Sequence, residues 1–142
     1  MSRLKFPYLP RPVINQKSGK RAEIFTPFVP VMVSINHRNP TPPMDALVDS
    51  GSDRNLFPLQ LGVLLGINFK KIRPKIIYGI GNIKVKAFTS KINIWLDNTK
   101  YSSEADFSLE QQVLLLGRHG FFNLFRKVTF DERARFLYIE TL

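Results

Sequence analysis

The residues best suited to chemistry sit together at Asp49-Ser50-Gly51-Ser52-Asp53, a cluster of turn formers directly after the apolar run Met44 to Val48. By itself Asp-Ser-Gly makes a plain turn. The setting of this copy is more telling: Ala46-Leu47-Val48 precedes it as a buried strand, and Asn55-Leu56-Phe57-Pro58 follows with more apolar residues. A carboxylate at the end of a core strand loses water, and desolvation can raise a carboxyl pKa. A rigid strand also positions the polar loop that follows it, a common place for function. Other chemistries are narrowed by composition. There are no cysteines, so disulfides, thiolate nucleophiles and Cys-type metal sites are all excluded. Two histidines, His37 and His119, are too few for a His-cluster metal site. Either could serve a hydroxyl nucleophile as its base, yet neither lies near Ser50 in the sequence.

Two further segments stand downstream. Tyr78-Gly79-Ile80-Gly81-Asn82 joins two apolar runs and reads as a glycine-rich hairpin tip free of bulky side chains. Val113-Leu114-Leu115-Leu116-Gly117-Arg118 reads as a buried strand running into a Gly-Arg turn and a short helix.

The elements that must carry these residues are mainly strands. Prolines and glycines punctuate the chain at short intervals, and the apolar residues between them mostly alternate. Residues 28–36 form a strand with Pro30 at an edge or bulge, and Pro40, Pro42 and Pro43 make the turn before the strand Met44 to Val48. Residues 58–65 predict a short helix, with Pro58 at its first position and Gly66 at its stop. Residues 83–87 and 92–96 alternate as two consecutive antiparallel strands. Residues 121–126 predict a second short helix, and Lys127 to Asp131 with Phe136 to Glu140 a closing hairpin. Residues 1–12, rich in proline and basic side chains, read as a mobile arm ahead of one domain over 13–142.

A chain of 142 residues, 44% apolar and 23% charged, can build one packed core and has no room for a second domain of usual size. Its 21 basic and 11 acidic residues give a formal charge of +10, which would draw it to polyanions. The cations are scattered, without a run or an aromatic-plus-basic motif, and read first as a solvated surface; nucleic acid is thus a partner supported by charge alone. No stretch approaches the roughly 18 apolar residues of a membrane span, and residues 1–8 lack the apolar segment of a secretory signal. The expectation is an intracellular, cytoplasmic protein without a membrane partner.

Strand and Asp turn, glycine hairpin, then apolar strand and Gly-Arg helix form an ordered set. In this order the chain resembles the retropepsin-like aspartic proteases, the single-domain family that includes the proteases of retroviruses, over residues 28–140. Ala46 to Asp53 looks like the family's catalytic loop, Gly79-Ile80-Gly81 like its flap, and Leu115-Leu116-Gly117-Arg118 like its second signature. The resemblance implies a small closed β-barrel with one or two short helices and one lobe per chain. It implies a peptide hydrolase without cofactor or metal. That mechanism needs two carboxylates a few ångströms apart sharing one proton, because like charges so close cannot both ionise cheaply. Only one Asp-Ser/Thr-Gly is present: Asn98 follows Asp97, and Glu132 follows Asp131. The dyad must then come from Asp49 of two chains on a twofold axis, which makes a homodimer.

Further roles follow from the resemblance. Ser50 would hydrogen-bond across the dyad, and Gly51 would permit the tight turn and bring its amide to the carboxylates. Asp53 and Arg118 would form a bidentate brace between loop and helix. Tyr78, Gly79, Ile80 and Gly81 would close over an extended peptide, with Val48, Leu56, Ile80 and Leu115 as pocket walls or core. The ends of the chain, Phe136 to Leu142 among them, would lie at the interface. One departure is His119, where the family usually has Asp or Asn. Two other readings stay open: a catalytically silent dimeric module of the same fold, and a basic β-barrel that binds nucleic acid.

Overall fold

The computed structural model describes residues 2–79 and 81–142. Its strands are β1 (Arg3–Pro7), β2 (Leu9–Ile14), β3 (Arg21–Thr26), β4 (Phe28–Ser34), β5 (Met44–Val48), β6 (Leu56–Pro58), β7 (Lys75–Tyr78), β8 (Lys84–Leu96), β9 (Thr99–Ser108), β10 (Leu114–Leu116), β11 (Lys127–Asp131) and β12 (Phe136–Glu140). One α-helix, α1 (Leu59–Leu65), follows β6, and 3-10 turns cover Phe69–Lys71 and Phe122–Leu124.

Strands β4, β5, β10, β6, β9 and β8 are neighbours in that order, and β4 pairs back onto β8, closing six strands into a barrel. The architecture is the mainly β, single-lobe barrel expected from the sequence. Strand alternation explains the barrel wall: Val29, Val31 and Val33 point inward from β4, and Ile92, Ile94 and Leu96 from β8, all buried. Phe57 and Phe107 meet edge to face at the centre, 5.8 Å between ring centroids. Burial of side chains this size contributes roughly 1.5–3 kcal/mol each. The turn from β8 to β9 is the two residues Asp97 and Asn98, with φ of 49° and 63°, a primed turn whose twist matches the flanking strands.

Helix α1 begins after Pro58 and stops at Gly66, whose φ of 88° supplies the left-handed cap. The closing hairpin β11–β12 runs Lys127↔Glu140 to Asp131↔Phe136, as expected. Three expectations are corrected. Residues 83–87 and 92–96 belong to one strand, β8, of 13 residues. Its buried positions change phase between Ala87 and Ile92, yet pairing with β9 continues without a break from Phe88↔Phe107 to Leu96↔Thr99. The second helix is only the 3-10 turn Phe122–Leu124. Residues 1–12, read as an arm, carry β1 and most of β2, which runs on to Ile14. Leu4 and Phe6 of β1 lie against the core, and β1 pairs antiparallel with β12 from Arg3↔Glu140 to Pro7↔Phe136. Both edges of β12 are therefore occupied within the chain, and the open edges of this three-stranded sheet belong to β1 and β11.

Strands β2 and β3 form a separate two-stranded ribbon. Its root is fixed by Tyr8, whose amide donates to the Arg135 carbonyl at 2.9 Å and whose hydroxyl donates to Glu132 at 2.9 Å. Pro10 and Pro12 stand opposite Phe25 and Glu23. Because the Asn15 amide donates to Lys20, these prolines fall on the alternate positions, where an N–H would point away from β3.

Candidate active site

The Asp49 loop is built by two strands that run side by side. β5 and β10 are parallel, Leu114↔Ala46 to Leu116↔Val48, and the Asp49 amide donates to the Leu116 carbonyl at 3.0 Å. The chain then turns tightly. The Gly51 amide donates to Asp49 Oδ1 at 2.9 Å, and the Ser52 amide donates to the Asp49 carbonyl at 3.1 Å. A Cβ on Gly51 would stand 3.2 Å from Asp49 Oδ1, so a larger residue would crowd the carboxylate it now serves. Asp49 is half-buried and Ser50 exposed, which leaves the loop at a surface rather than inside the barrel.

The loop is held from behind by the Gly117–His119 segment. The Arg118 amide donates to the Ser52 carbonyl at 2.9 Å and the His119 amide to the Asp53 carbonyl at 2.8 Å. Gly117 is required by close approach: any side chain there would collide with the Arg54 backbone. Asn55, fully buried, ties the two segments together. Its Oδ1 accepts from the Gly117 amide at 2.9 Å and its Nδ2 donates to the Glu104 carbonyl at 3.0 Å. The bidentate brace expected between Asp53 and Arg118 is absent. Arg118 Nη1 lies 3.9 Å from Asp53 Oδ1, with the side chains 70% and 91% exposed, and the backbone bonds do the bracing.

A cleft of about 550 Å³ opens in front of the loop. Asp49, Gly51, Asp53 and Arg54 border it, Leu56, Ile77, Val85 and Leu115 supply apolar wall, and Tyr78 and Gly79 overhang it. The overhang is the hairpin of β7 and β8, Lys75↔Ala87 to Tyr78↔Lys84, closed by the Gly79 amide donating to the Ile83 carbonyl at 2.8 Å. Gly81 has φ 79° in the hairpin turn and does not line the cleft. Ile80 lies outside the described residues. Ser50 faces a second hollow of about 380 Å³, shared with Asp49, Pro27, Phe130 and Glu132. Asp49 thus stands between two cavities. Of the expected pocket walls, Leu56 and Leu115 border the cleft, whereas Val48 is core and faces the second hollow.

A network of charged side chains lies on the cleft floor. Asp106 in β9 is 1% exposed. Its Oδ2 accepts from Arg54 Nε at 2.9 Å, and its Oδ1 accepts from Thr89 Oγ1 at 2.7 Å and pairs with the Lys75 ammonium at 3.1 Å. Burial pushes the carboxyl up, but the bonds from Thr89, Arg54 and Lys75 and the arginine's charge outweigh it and hold the pKa below the usual value. Arg54 Nη2 also donates to Glu104 Oε1 at 2.6 Å, and His119 Nε2 meets the same oxygen at 3.0 Å. The Arg54 bond, helped by His119 against desolvation, holds Glu104 below the carboxylate range as well. Asn55, Arg54 and Asp106 were not singled out from the sequence. The sequence carries no local mark for them: Asn55 directly follows Asp53 and Arg54, and Asp106 lies in β9, where most residues are polar.

The barrel has counterparts among solved structures. The solved structure of a retropepsin-like aspartic protease from Rickettsia conorii superposes with a TM-score of 0.63 at 13% identity, covering 97% of this chain and 98% of that one. The fold is retropepsin-like. The EIAV protease, solved as an inhibitor complex, is similar over 66% of this chain and 82% of its own, with a TM-score of 0.50 at 20% identity. No protein-family model matches the chain and no curated protein matches its sequence. The strand order places three described segments: the Asp49 loop at the end of β5, the Gly117–His119 segment at the end of its parallel neighbour β10, and the β7–β8 hairpin continuing the sheet beyond the ring. No helix among the described residues is long and apolar enough to cross a membrane.

Proposed function

We propose that the protein is an aspartic endopeptidase completed by a second copy of itself. The observation that carries this reading is Asp49, a half-exposed carboxylate with an amide donor on one oxygen, at the foot of a hairpin-covered cleft in a retropepsin-like barrel. One carboxylate cannot act as base and acid in the same step, and the chain holds one Asp-Ser-Gly. Two copies of Asp49 sharing one proton can. The ionised carboxylate takes a proton from water as the water oxygen bonds to the peptide carbonyl carbon, while the protonated partner gives its hydrogen to the carbonyl oxygen. Return of a proton to the amide nitrogen then breaks the C–N bond, with no covalent intermediate on the enzyme. Ser50, exposed beside Asp49, would link the two loops. Asp53 and Arg118 would flank the loop from outside, and Tyr78, Gly79, Ile80 and Gly81 would form the flap that closes on an extended peptide. Leu56, Ile77, Val85 and Leu115 supply apolar wall for its side chains.

The test is Asp49→Asn, which removes the titratable group and nearly preserves shape. Peptide cleavage is expected to fall by about 10³-fold or more, with dimerisation by sedimentation velocity unchanged. Activity is expected from acidic to near-neutral pH, since the dyad must keep one proton. Cleavage by a strictly monomeric protein, or a rate still climbing above pH 9, defeats the reading.

A further inference from the structure

Strand β7 is the outermost strand of its sheet and hydrogen-bonds to β8 alone among the described residues. A strand paired on one edge is weakly held, and β7 carries the Tyr78 and Gly79 end that overhangs the cleft. Among the described residues one polar side-chain link ties it to the barrel: Lys75, the first residue of β7, reaches past β8 to Asp106 Oδ1 at 3.1 Å. The other oxygen of the same carboxylate accepts from Arg54, five residues after Asp49. Thr89 of β8 also donates to Oδ1. One buried group therefore holds the root of the hairpin with one oxygen and the end of the Asp49 loop with the other. Such an arrangement is costly for a barrel wall alone, where an apolar residue at position 106 would pack without desolvating a charge.

We propose that Asp106 is a positioning residue of the cleft, a two-sided tether that sets the height of the hairpin over the Asp49 loop through Lys75 and Arg54. The inference rests on the endopeptidase reading for its consequence, because the space for an extended peptide is the gap this tether fixes. Releasing the Lys75 side lets the hairpin open more often and binds the peptide less well. Chemistry at Asp49 is not touched.

The experiment uses the full-length protein and Lys75→Met, which removes the ammonium of a partly exposed side chain and leaves the Arg54–Asp106 contact in place. Amide hydrogen exchange at Gly79 and along β7 is expected to quicken by about fivefold, while β4 and β5 exchange at wild-type rates. In peptide cleavage KM is expected to rise about fivefold with kcat within about twofold, and Lys75→Arg is expected to restore both readouts. Unchanged exchange in β7 overturns the tether whatever the peptidase assay gives. Faster β7 exchange in a wild-type-like protein that cuts no peptide upholds the tether and overturns the endopeptidase reading instead. A uniform rise in exchange across all strands also overturns the tether, since it marks general loosening.

Discussion

Arg118 and Arg54 both reach a carboxylate beside the Asp49 loop, and their situations are opposite. Arg118 approaches Asp53 in open solvent, at 3.9 Å and without a hydrogen bond, so water and salt screen most of the attraction. Arg54 is spread over two carboxylates, at 2.9 Å to the buried Asp106 and 2.6 Å to Glu104. A pair of the first kind adds little, because the loop is already fixed by backbone bonds from Arg118 and His119. A pair of the second kind cannot be broken cheaply, because Asp106 is 1% exposed and water can replace little of what the arginine gives it. Residue type and proximity to the motif are equal in the two cases. Burial decides.

The comparison can be broken most sharply at Arg54. Arg54→Met is expected to destabilise the fold by about 2–3 kcal/mol, read as a lower urea midpoint; a loss below about 0.5 kcal/mol would place the two arginines in one class. A smaller effect comes from pH. The ordinary values for Asp106 and Glu104 are 3.8 and 4.5, and both are lowered in the folded protein. The unfolded chain therefore takes up these protons first as pH falls. Their stabilisation is complete above about pH 4.5 and is lost progressively below it, and Arg54→Met is expected to flatten that acid limb in thermal unfolding. The alkaline side gives a separate check. Burial, then the Glu132 hydrogen bond and charge, raise Tyr8 from 10.0 to about 12, so the folded protein holds that proton longer. Stability is expected to fall as pH rises through this window, and Tyr8→Phe is expected to remove the slope. The smallest effect is at Arg118, where Arg118→Ala is expected to change stability by less than about 0.5 kcal/mol.

How much was legible follows the range of the signal. β5 and the β11–β12 hairpin show in the sequence because alternation and turn residues are local, and Pro58 and Gly66 mark the ends of α1 for the same reason. β8 reads as two strands because its buried face changes phase between Ala87 and Ile92, a property of its passage from the hairpin into the barrel wall. β1 was masked by its basic and proline residues, although Leu4 and Phe6 carry a two-residue period. Asp49 and the glycine hairpin could be singled out because each is a short motif. The Arg54–Asp106 contact joins residues 52 apart, brought together by the parallel pairing of β6 with β9. No local pattern encodes such a meeting.

The two prolines of β2 bear on how this protein behaves when concentrated. A ribbon projecting from a barrel offers its rims to any other extended chain, and stacked ribbons seed fibres. At Pro10 and Pro12 the outward rim lacks its amide hydrogens, so a second chain laid along it finds carbonyls without the donors needed to zip up. That rim is closed to sheet growth by covalent structure, and it stays closed at any salt or pH.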